Sequence, residues 1–362
     1  MIPMIREVID LFRKQKVYLF LLIAIVLFYF IFFIVQKKVK PDKVVDPQKQ
    51  RIEMLLKEAP QTSQEIEHRL AGRPVLRSVI HVFTLFFLSS FLYGIWLGTV
   101  DLKKLFRKEE LVPHALDNPE ISWGAAEIVK ILILFTSLGI SLNLIVVFIK
   151  SLLGISIDMS SYLLIHTVML DVSVISMIIF FIRKSGSQIS DFLGIRSQQL
   201  FSEELWWGIR TYFLILPIFI SLLIGLVYVA SIFSYEPPPH PLVEILLEDE
   251  QSSLWTILGS FLVACVAGPI VEEIFFRGFF YPAIKKYLGV GWTMMITSAL
   301  FAAAHENFFA FIPIFFLGLV LCYLYEKRSN LVSCITLHIV HNTAFILYFF
   351  IMKSVLFSTQ GS

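Results

Sequence analysis

Two adjacent acids and one arginine lie in an otherwise apolar stretch, Gly268 to Gly278, which reads GPIVEEIFFRG. A charged side chain at the bilayer centre costs about 2.5 kcal/mol or more on insertion scales, so it indicates function unless its charge is neutralised. Glu273 and Arg277 are four residues apart on one helical face, so they are expected to form an ion pair that ties helices together. Glu272 is about 140° around the helix from Arg277. Glu272 therefore has no expected ion-pair partner and is free to act as a general base on water.

The dipeptide Gly268-Pro269 stands just before the two acids. Proline is favoured at the first position of a helix, so the pair predicts a helix break with a restart at Pro269. Glu272 and Glu273 would then lie in the first turn of the new helix. Unpaired N–H groups and the positive end of the helix dipole stabilise an anion there.

Histidine and asparagine side chains occur in two further apolar segments. His305 follows an Ala-rich run, and small residues let a neighbouring helix approach closely. His338 and Asn342 are one turn apart, so both are expected to point towards the same place. His341 is interpreted as a structural neighbour. Taken alone, His305 would more often be a satisfied interface residue than a catalytic one.

The depths of these groups in the membrane connect them with Glu272. At a rise of about 1.5 Å per residue from the basic helix ends, Glu272 lies at about 20 Å, His305 at about 24 Å and Asn342 at about 21 Å. His338 lies at about 15 Å on the same scale. Three helices thus bring polar groups to a similar level, which predicts one shared site.

The elements that must position these residues are hydrophobic helices. The chain is 57% hydrophobic and 16% charged, with a mean hydropathy of +0.78, whereas soluble domains carry about 25% charged residues. Apolar runs of about 20 residues recur, which predicts an all-α, polytopic membrane protein. About nine spans are predicted, near residues 17–36, 78–98, 128–150, 160–182, 209–233, 255–285, 289–305, 309–326 and 331–352.

Four segments are predicted along the chain. Residues 1–120 form an N-terminal membrane region with a polar, basic loop at 37–77, and residues 121–189 add further transmembrane helices. Residues 190–352 form the core with the candidate site, and 353–362 form a short polar tail. Most basic connections fall on one side, as the positive-inside rule requires, with the 37–77 loop as the exception. We expect a multi-pass protein of a bacterial inner (plasma) membrane, in contact with the lipid bilayer.

The order of the polar motifs resembles a known family. The motifs are Glu272-Glu273-x-x-x-Arg277, Phe301-x-x-x-His305 and His338-x-x-x-Asn342. In this order they resemble the three motifs of the CAAX-protease and bacteriocin-processing (CPBP, or Abi) family, and in particular its prenyl-protein CAAX endopeptidases. The resemblance covers about residues 190–350. It implies an all-helical core whose conical intramembrane cavity holds the active site.

The same resemblance implies roles for the site residues. Glu272 would activate water together with His305, and this water would hydrolyse a peptide bond of the substrate. His338 and Asn342 would stabilise the oxyanion of the tetrahedral intermediate, which suits donors in a water-poor cavity. The implied substrate is a membrane-anchored or lipidated peptide or protein, including prenylated ones.

A metal ion is also implied, because the family is described as metalloproteases. Glu272, His305 and His338 could hold zinc, which accepts carboxylate and imidazole ligands. The chain has no HExxH-type pair at this site, so activation of water by Glu272 without a metal stays an alternative. Glu273 and Arg277 would be supporting structure.

Three other interpretations use the same residues. A proton-coupled transporter could use Glu272 and the histidines as a relay with Asp171, although no inverted repeat is evident. A catalytically silent scaffold of the same fold is the second. A thiol nucleophile at Cys334, one turn from His338, is the third, but buried apolar surroundings blunt thiol reactivity. The scattered basic residues predict no nucleic-acid surface, and the three cysteines form neither a disulfide framework nor a metal pair.

Overall fold

A computed structural model describes residues 2–38, 63–114, 121–154, 159–184, 186, 188–194, 198–235 and 254–356. Within these ranges every regular element is a helix, which confirms the predicted all-α class. Much of the predicted polar loop at 37–77 and the end of the predicted polar tail lie outside the described residues, as do residues 236–253.

Thirteen α-helices and two π-helical turns make up the described chain. In order they are α1 (Ile2–Lys14), α2 (Lys16–Lys38), α3 (Ser63–Ala71), α4 (Pro74–Phe106), α5 (Ala125–Leu153), α6 (Met159–Lys184), α7 (Ile189–Leu193), α8 (Gln198–Ile232), α9 (Leu254–Leu262), a first π-turn (Val263–Ala267), α10 (Gly268–Glu273), a second π-turn (Ile274–Phe280), α11 (Tyr281–Ala303), α12 (Phe311–Arg328) and α13 (Leu331–Leu356).

Seven helical segments among the described residues are long and apolar enough to cross a membrane. One of them, Ile257–Ala303, has 47 residues, far more than the roughly 20 that one crossing needs. It is kinked at Gly289, whose φ of 71° and ψ of 175° lie outside the helical region. The chain is therefore a polytopic helical membrane protein, while the predicted count of nine spans is not confirmed.

Two compact units share the chain, and each is built from segments that are distant in sequence. The first unit comprises Met1–Lys40, Val112–Gly208 and Ser253–His338, and the second comprises Pro41–Leu111, Ile209–Ser252 and Ile339–Ser362. The predicted segment boundaries at residues 120, 189 and 352 stay predictions.

In the first unit, the amphipathic helix α1 docks through one half-buried acid, Glu7. The Glu7 carboxylate accepts hydrogen bonds from the Ala125 N–H, at 3.0 Å, and from the Tyr287 hydroxyl. Ala125 begins α5, so Glu7 satisfies a backbone donor that has no partner within its own helix and places a negative charge at the positive helix end. The N-terminal helix is thereby held against the start of α5 and against α11.

Arg328, at the end of α12, fixes a second corner of this unit. Its buried guanidinium donates to the Glu204 carboxylate, with Nε at 3.0 Å from Oε1, and to the Pro113 carbonyl at 3.0 Å. The Trp207 ring lies 5.4 Å from its Cζ atom. The start of α8, from Glu203 to Trp207, thus binds an arginine of α12.

In the second unit, α4 and α8 approach closely at Gly94. A Cβ atom at this position would lie 2.2 Å from the Phe213 carbonyl oxygen and 2.7 Å from the Pro217 ring. Gly98 is one turn further along α4, and a Cβ atom there would meet nothing within 4 Å. The first glycine therefore permits the helix contact, and the second does not take part in it.

We expect the substitutions Gly94→Ala and Gly98→Ala to have opposite effects on stability. Overpacking at Gly94 should lower the free energy of unfolding by about 1–3 kcal/mol. At Gly98 the same change should be neutral or stabilising by up to about 1 kcal/mol, because alanine is the better helix former. Unfolding midpoints of the two variants in detergent check this prediction. Equal midpoints would contradict the close approach at Gly94.

Candidate active site

The helix that carries Glu272 continues through Gly268 and Pro269 without a break. Ala267 (φ −65°, ψ −48°) and Gly268 (φ −54°, ψ −57°) are both helical, and the Gly268 N–H donates to the Val263 carbonyl five residues earlier. The predicted helix restart at Pro269 is therefore wrong. The physical reason is the π-turn, whose wider loop lets the helix pass a residue that has no N–H to donate.

This continuity removes the expected helix N-terminus beside the two acids. Glu272 and Glu273 lie at the end of α10, and the second π-turn follows directly. In that turn the Phe279 carbonyl accepts a hydrogen bond from the Trp123 indole at 3.0 Å, and the two rings stack with centroids 5.4 Å apart. A side chain from outside the helix thus satisfies one carbonyl of the widened turn. π-turns of this kind are frequent at functional sites.

The predicted ion pair between Glu273 and Arg277 is present and fully buried. Arg277 Nη1 lies 2.8 Å from Glu273 Oε1, and both side chains are 0% exposed. The guanidinium also lies over the Phe301 ring, with Cζ 4.3 Å from the centroid, which is a favourable cation–π distance. The ion pair and the Phe301 ring therefore pack together as one buried cluster.

His338 of α13 joins this ion pair. Its Nδ1 atom lies 2.8 Å from Glu273 Oε1, and its ring packs against Phe301 with centroids 5.7 Å apart. An ionised carboxylate can only accept, so Nδ1 carries the hydrogen of this bond. In the neutral ring the lone pair then lies on Nε2. A carboxylate partner of this kind fixes the orientation of an imidazole.

Glu272 faces the other edge of the same ring. Its Oε2 atom lies 3.7 Å from His338 Nε2, which is too long for a direct hydrogen bond. Oε2 is buried and makes no hydrogen bond, although 35% of the Glu272 side chain is exposed. The unpaired Oε2 atom of Glu272 beside the His338 ring is therefore the candidate acceptor for a proton from water.

His305 lies outside this cluster. It is exposed in the turn that follows α11, with Nδ1 2.8 Å from the Phe301 carbonyl oxygen and its ring centroid 5.0 Å from that of Phe301. Among the described residues it forms no hydrogen bond or ion pair with Glu272. The imidazole nearest Glu272 is thus His338, and the cooperation of Glu272 with His305 stays a prediction.

Asn342 and His341 follow His338 on α13. Asn342 is half-buried one turn after His338 and falls in the second compact unit. His341 packs edge-on against the Phe219 ring, with centroids 4.7 Å apart, within that unit. This contact agrees with the interpretation of His341 as a structural neighbour.

The predicted zinc ligands do not form a metal-binding group in this arrangement. In the part of the chain that the structure describes, no three His, Cys, Asp or Glu side chains come together as a possible metal site. Glu272 and His338 face each other, but His305 is not the third member. We therefore derive no step through a metal ion, and zinc stays an expectation from the family resemblance.

Asp171 of α6 is the further acid near this site. Its Oδ2 atom is buried without a hydrogen bond, and its carboxyl group interacts electrostatically with Glu272. Sequence reasoning associated Asp171 only with the transporter interpretation. The packing of α6 against α10 is what brings the two acids into range.

Two contacts of the site were missed by sequence reasoning. One is the bond from His338 to Glu273, and the other is the Phe301 ring beneath Arg277. The motif Phe301-x-x-x-His305 did contain the aromatic residue, and its buried ring gives that position a physical role.

Fold and site together define a polytopic helical membrane protein with a buried acid–imidazole–arginine cluster. Residues 254–344 match the model of a protein family described as Type II CAAX prenyl endopeptidase Rce1-like. This range includes all three motifs, so the family resemblance is confirmed for the C-terminal region.

One curated relative adds to this match. UPF0177 protein YaiF of Lactococcus lactis subsp. lactis (strain IL1403) is 30% identical over 89 residues, which are 24% of this chain and 38% of the relative. The chain thus spans well under half the length of that relative. No solved structure matches the chain significantly.

Proposed function

We propose that this protein is an intramembrane endopeptidase that hydrolyses a peptide bond in a membrane-anchored or lipidated substrate. The observation that carries the proposal is the unpaired Oε2 atom of Glu272, which lies 3.7 Å from His338 Nε2 and next to a buried ion pair. The match of residues 254–344 to a family of CAAX prenyl endopeptidases supports the reaction class. Prenylated proteins are the finer substrate proposal.

The proposed reaction is general-base hydrolysis. Glu272 takes a proton from water as the water oxygen attacks the carbonyl carbon of the scissile bond. The tetrahedral intermediate carries the negative charge on the former carbonyl oxygen. Glu272 then returns the proton to the leaving nitrogen as the C–N bond breaks, so the products are a carboxylic acid and an amine.

The neighbouring groups have supporting tasks in this proposal. Glu273, itself held by Arg277, fixes the His338 ring. As the family motifs imply, we propose that His305 assists the water and that Asn342 and His338 stabilise the oxyanion. For this role His338 needs a hydrogen on Nε2 as well as on Nδ1, because Nδ1 already donates to Glu273. Zinc dependence rests on the resemblance alone. Loss of hydrolysis on chelation, with recovery on adding zinc, would confirm it.

The proposed setting is a bacterial inner (plasma) membrane. Seven described segments can cross a bilayer, and the curated relative is bacterial. A direct test uses the purified protein in liposomes with prenylated and unprenylated membrane-anchored peptides, and mass spectrometry of the products. Cleavage at one defined bond supports the proposal. Intact peptides after prolonged incubation, with an active preparation of a related endopeptidase alongside, would contradict it.

A proton-coupled transporter is the second candidate, because Asp171 and Glu272 are two electrostatically coupled acids in neighbouring membrane helices. Such a pair could pass protons without hydrolysis. Proton flux into proteoliposomes in the absence of peptide, lost on Glu272→Gln, would favour the transporter over the peptidase.

Replacement of His338 and of Cys334 separates the proposed site from a thiol mechanism. His338→Gln should lower kcat for peptide hydrolysis by on the order of 10²-fold, because the imidazole proposed to stabilise the oxyanion is lost. Cys334 is buried, and its Sγ is 3.5 Å from the Leu321 carbonyl, so Cys334→Ala should retain activity. Both variants are assayed in the same liposomes. An inactive, well-folded Cys334→Ala protein would point to a thiol nucleophile instead.

A further inference from the structure

A cavity of about 720 Å³ lies within the second compact unit, between α4, α8 and α13. Its walls are mainly apolar and aromatic, with Phe87 of α4, Phe213 and Phe219 of α8, and Phe345 of α13 among them. The volume is in the usual range for ligand sites, about 300–1,000 Å³. None of the lining residues belongs to the acid–histidine cluster, so the cavity is a separate feature.

Polar side chains are a minority on the cavity wall, where they are Ser90, Tyr212, His341, Thr343 and Tyr348. The Ser90 hydroxyl donates to the Phe86 carbonyl at 2.7 Å, one turn earlier in the same helix. The His341 ring lies against Phe219 and Tyr212. A peptide backbone in this cavity would find few partners for its N–H and C=O groups, which is costly away from water. A hydrocarbon chain has no such requirement.

The length of the cavity matches one leaflet of a membrane. Its lining follows α8 from Tyr212 to Leu223, which is about 16 Å at a rise of about 1.5 Å per residue. The hydrocarbon core of a bilayer is about 30 Å thick, so one leaflet is about 15 Å. The helices that form the cavity are themselves long and apolar enough to cross a membrane.

One end of the cavity leads to charged residues. Arg210, two positions before Tyr212, forms a buried ion pair with Asp101 of α4. Just beyond Asp101 the last turn of α4 carries Lys103 and Lys104, with Lys103 exposed and Lys104 half-buried. Arg107 follows, 4.0 Å from the exposed Glu109. An apolar slot with cations past one end has the polarity that complements an anionic lipid.

We propose that this cavity binds an acyl chain of an anionic glycerophospholipid whose headgroup lies against Lys103 and Lys104. The bound lipid fills space between α4, α8 and α13 that the side chains leave open. This inference goes beyond the proposed function and does not depend on it, because it uses no residue of the acid–histidine cluster.

Photolabelling of the full-length protein in nanodiscs tests the proposal. The probes are phosphatidylglycerol and phosphatidylcholine that carry a diazirine on one acyl chain, and mass spectrometry locates the adducts. Phosphatidylglycerol adducts should concentrate on the cavity-lining parts of α8 and α13. Adducts spread evenly over exposed helices such as α2 would overturn the site.

Two kinds of variant sharpen this test. Ala344→Trp fills the cavity and should abolish the concentrated labelling, whereas Leu92→Trp, an exposed position of α4 outside the cavity wall, should leave it unchanged. Lys103→Gln and Lys104→Gln lie outside the core and should each weaken phosphatidylglycerol labelling about fivefold. Phosphatidylcholine labelling should not respond to the lysine changes. Equal labelling by both lipids, or displacement of the probe by a prenylated peptide, would overturn the assignment to an anionic phospholipid.

Discussion

Replacement of Glu272 by glutamine is expected to lower kcat for peptide hydrolysis by about 10²–10⁴-fold, the usual contribution of a positioned general base. Glutamine keeps the size of the side chain but cannot take the proton from water. Oε2 of Glu272 makes no hydrogen bond and the side chain is partly exposed, so the substitution should change stability little. Initial rates with a membrane-anchored peptide in liposomes, beside an unfolding midpoint for each preparation, measure both quantities.

Glu109→Gln is the matched control, because this acid is exposed and pairs with Arg107 only at 4.0 Å. Its rate should equal that of the unmodified protein. A Glu272→Gln protein that keeps more than about a tenth of the rate would place the base elsewhere, since such a small loss lies below the range for base removal. Asp171, the neighbouring acid, would then be the next residue to replace.

Removal of one member of the Glu273–Arg277 pair is expected to have the largest effect on stability. Glu273→Leu leaves the guanidinium of Arg277 buried without its carboxylate, which typically costs about 3–5 kcal/mol. It also removes the partner of His338 Nδ1. The double change Glu273→Leu with Arg277→Met replaces the pair by apolar groups of similar size and should recover most of the loss. Unfolding in detergent micelles compares the two proteins.

An exposed pair supplies the control for this comparison. Glu109→Leu breaks the contact with Arg107. The two side chains are 51% (Glu109) and 73% (Arg107) exposed, so the free energy of unfolding should fall by less than about 1 kcal/mol. If Glu273→Leu were as mild as Glu109→Leu, the buried pair would not support the site. If the double variant were no more stable than Glu273→Leu, the unpaired charge of Arg277 would not be the cause of the lost stability. The loss of packing at position 273 or of the hydrogen bond to His338 would then explain it.

Local spacing predicted the Glu273–Arg277 pair, because residues four apart on a helix meet whatever surrounds them. Hydropathy predicted the all-α membrane class for a similar reason, since it depends only on composition along each span. The path through Gly268-Pro269 was not predicted. The local preference for a helix start at proline competes with the π-turn Val263–Ala267, in which the Gly268 N–H bonds the Val263 carbonyl and the helix continues.

Of the contacts between helices at the site, the sequence predicted only that polar groups from three helices lie at a similar depth. The depth argument placed His305 and His338 near the level of Glu272, but depth says nothing about rotation around a helix axis. In the structure His338 of α13 faces the two acids, whereas His305, beyond the end of α11, does not. Such rotations follow from side-chain packing over the whole interface, for example Phe301 under the His338 ring.

The two π-turns on either side of α10 have a consequence for insertions and deletions. Each π-turn holds about one residue more than an α-helical turn of the same height, and each residue is worth about 100° of rotation. Loss of a single residue from Val263–Ala267 would let the α-helix close over the gap and turn α10, with Glu272 and Glu273, about a quarter of the way around its axis. The site thus depends on the number of residues between its helices as much as on their identity.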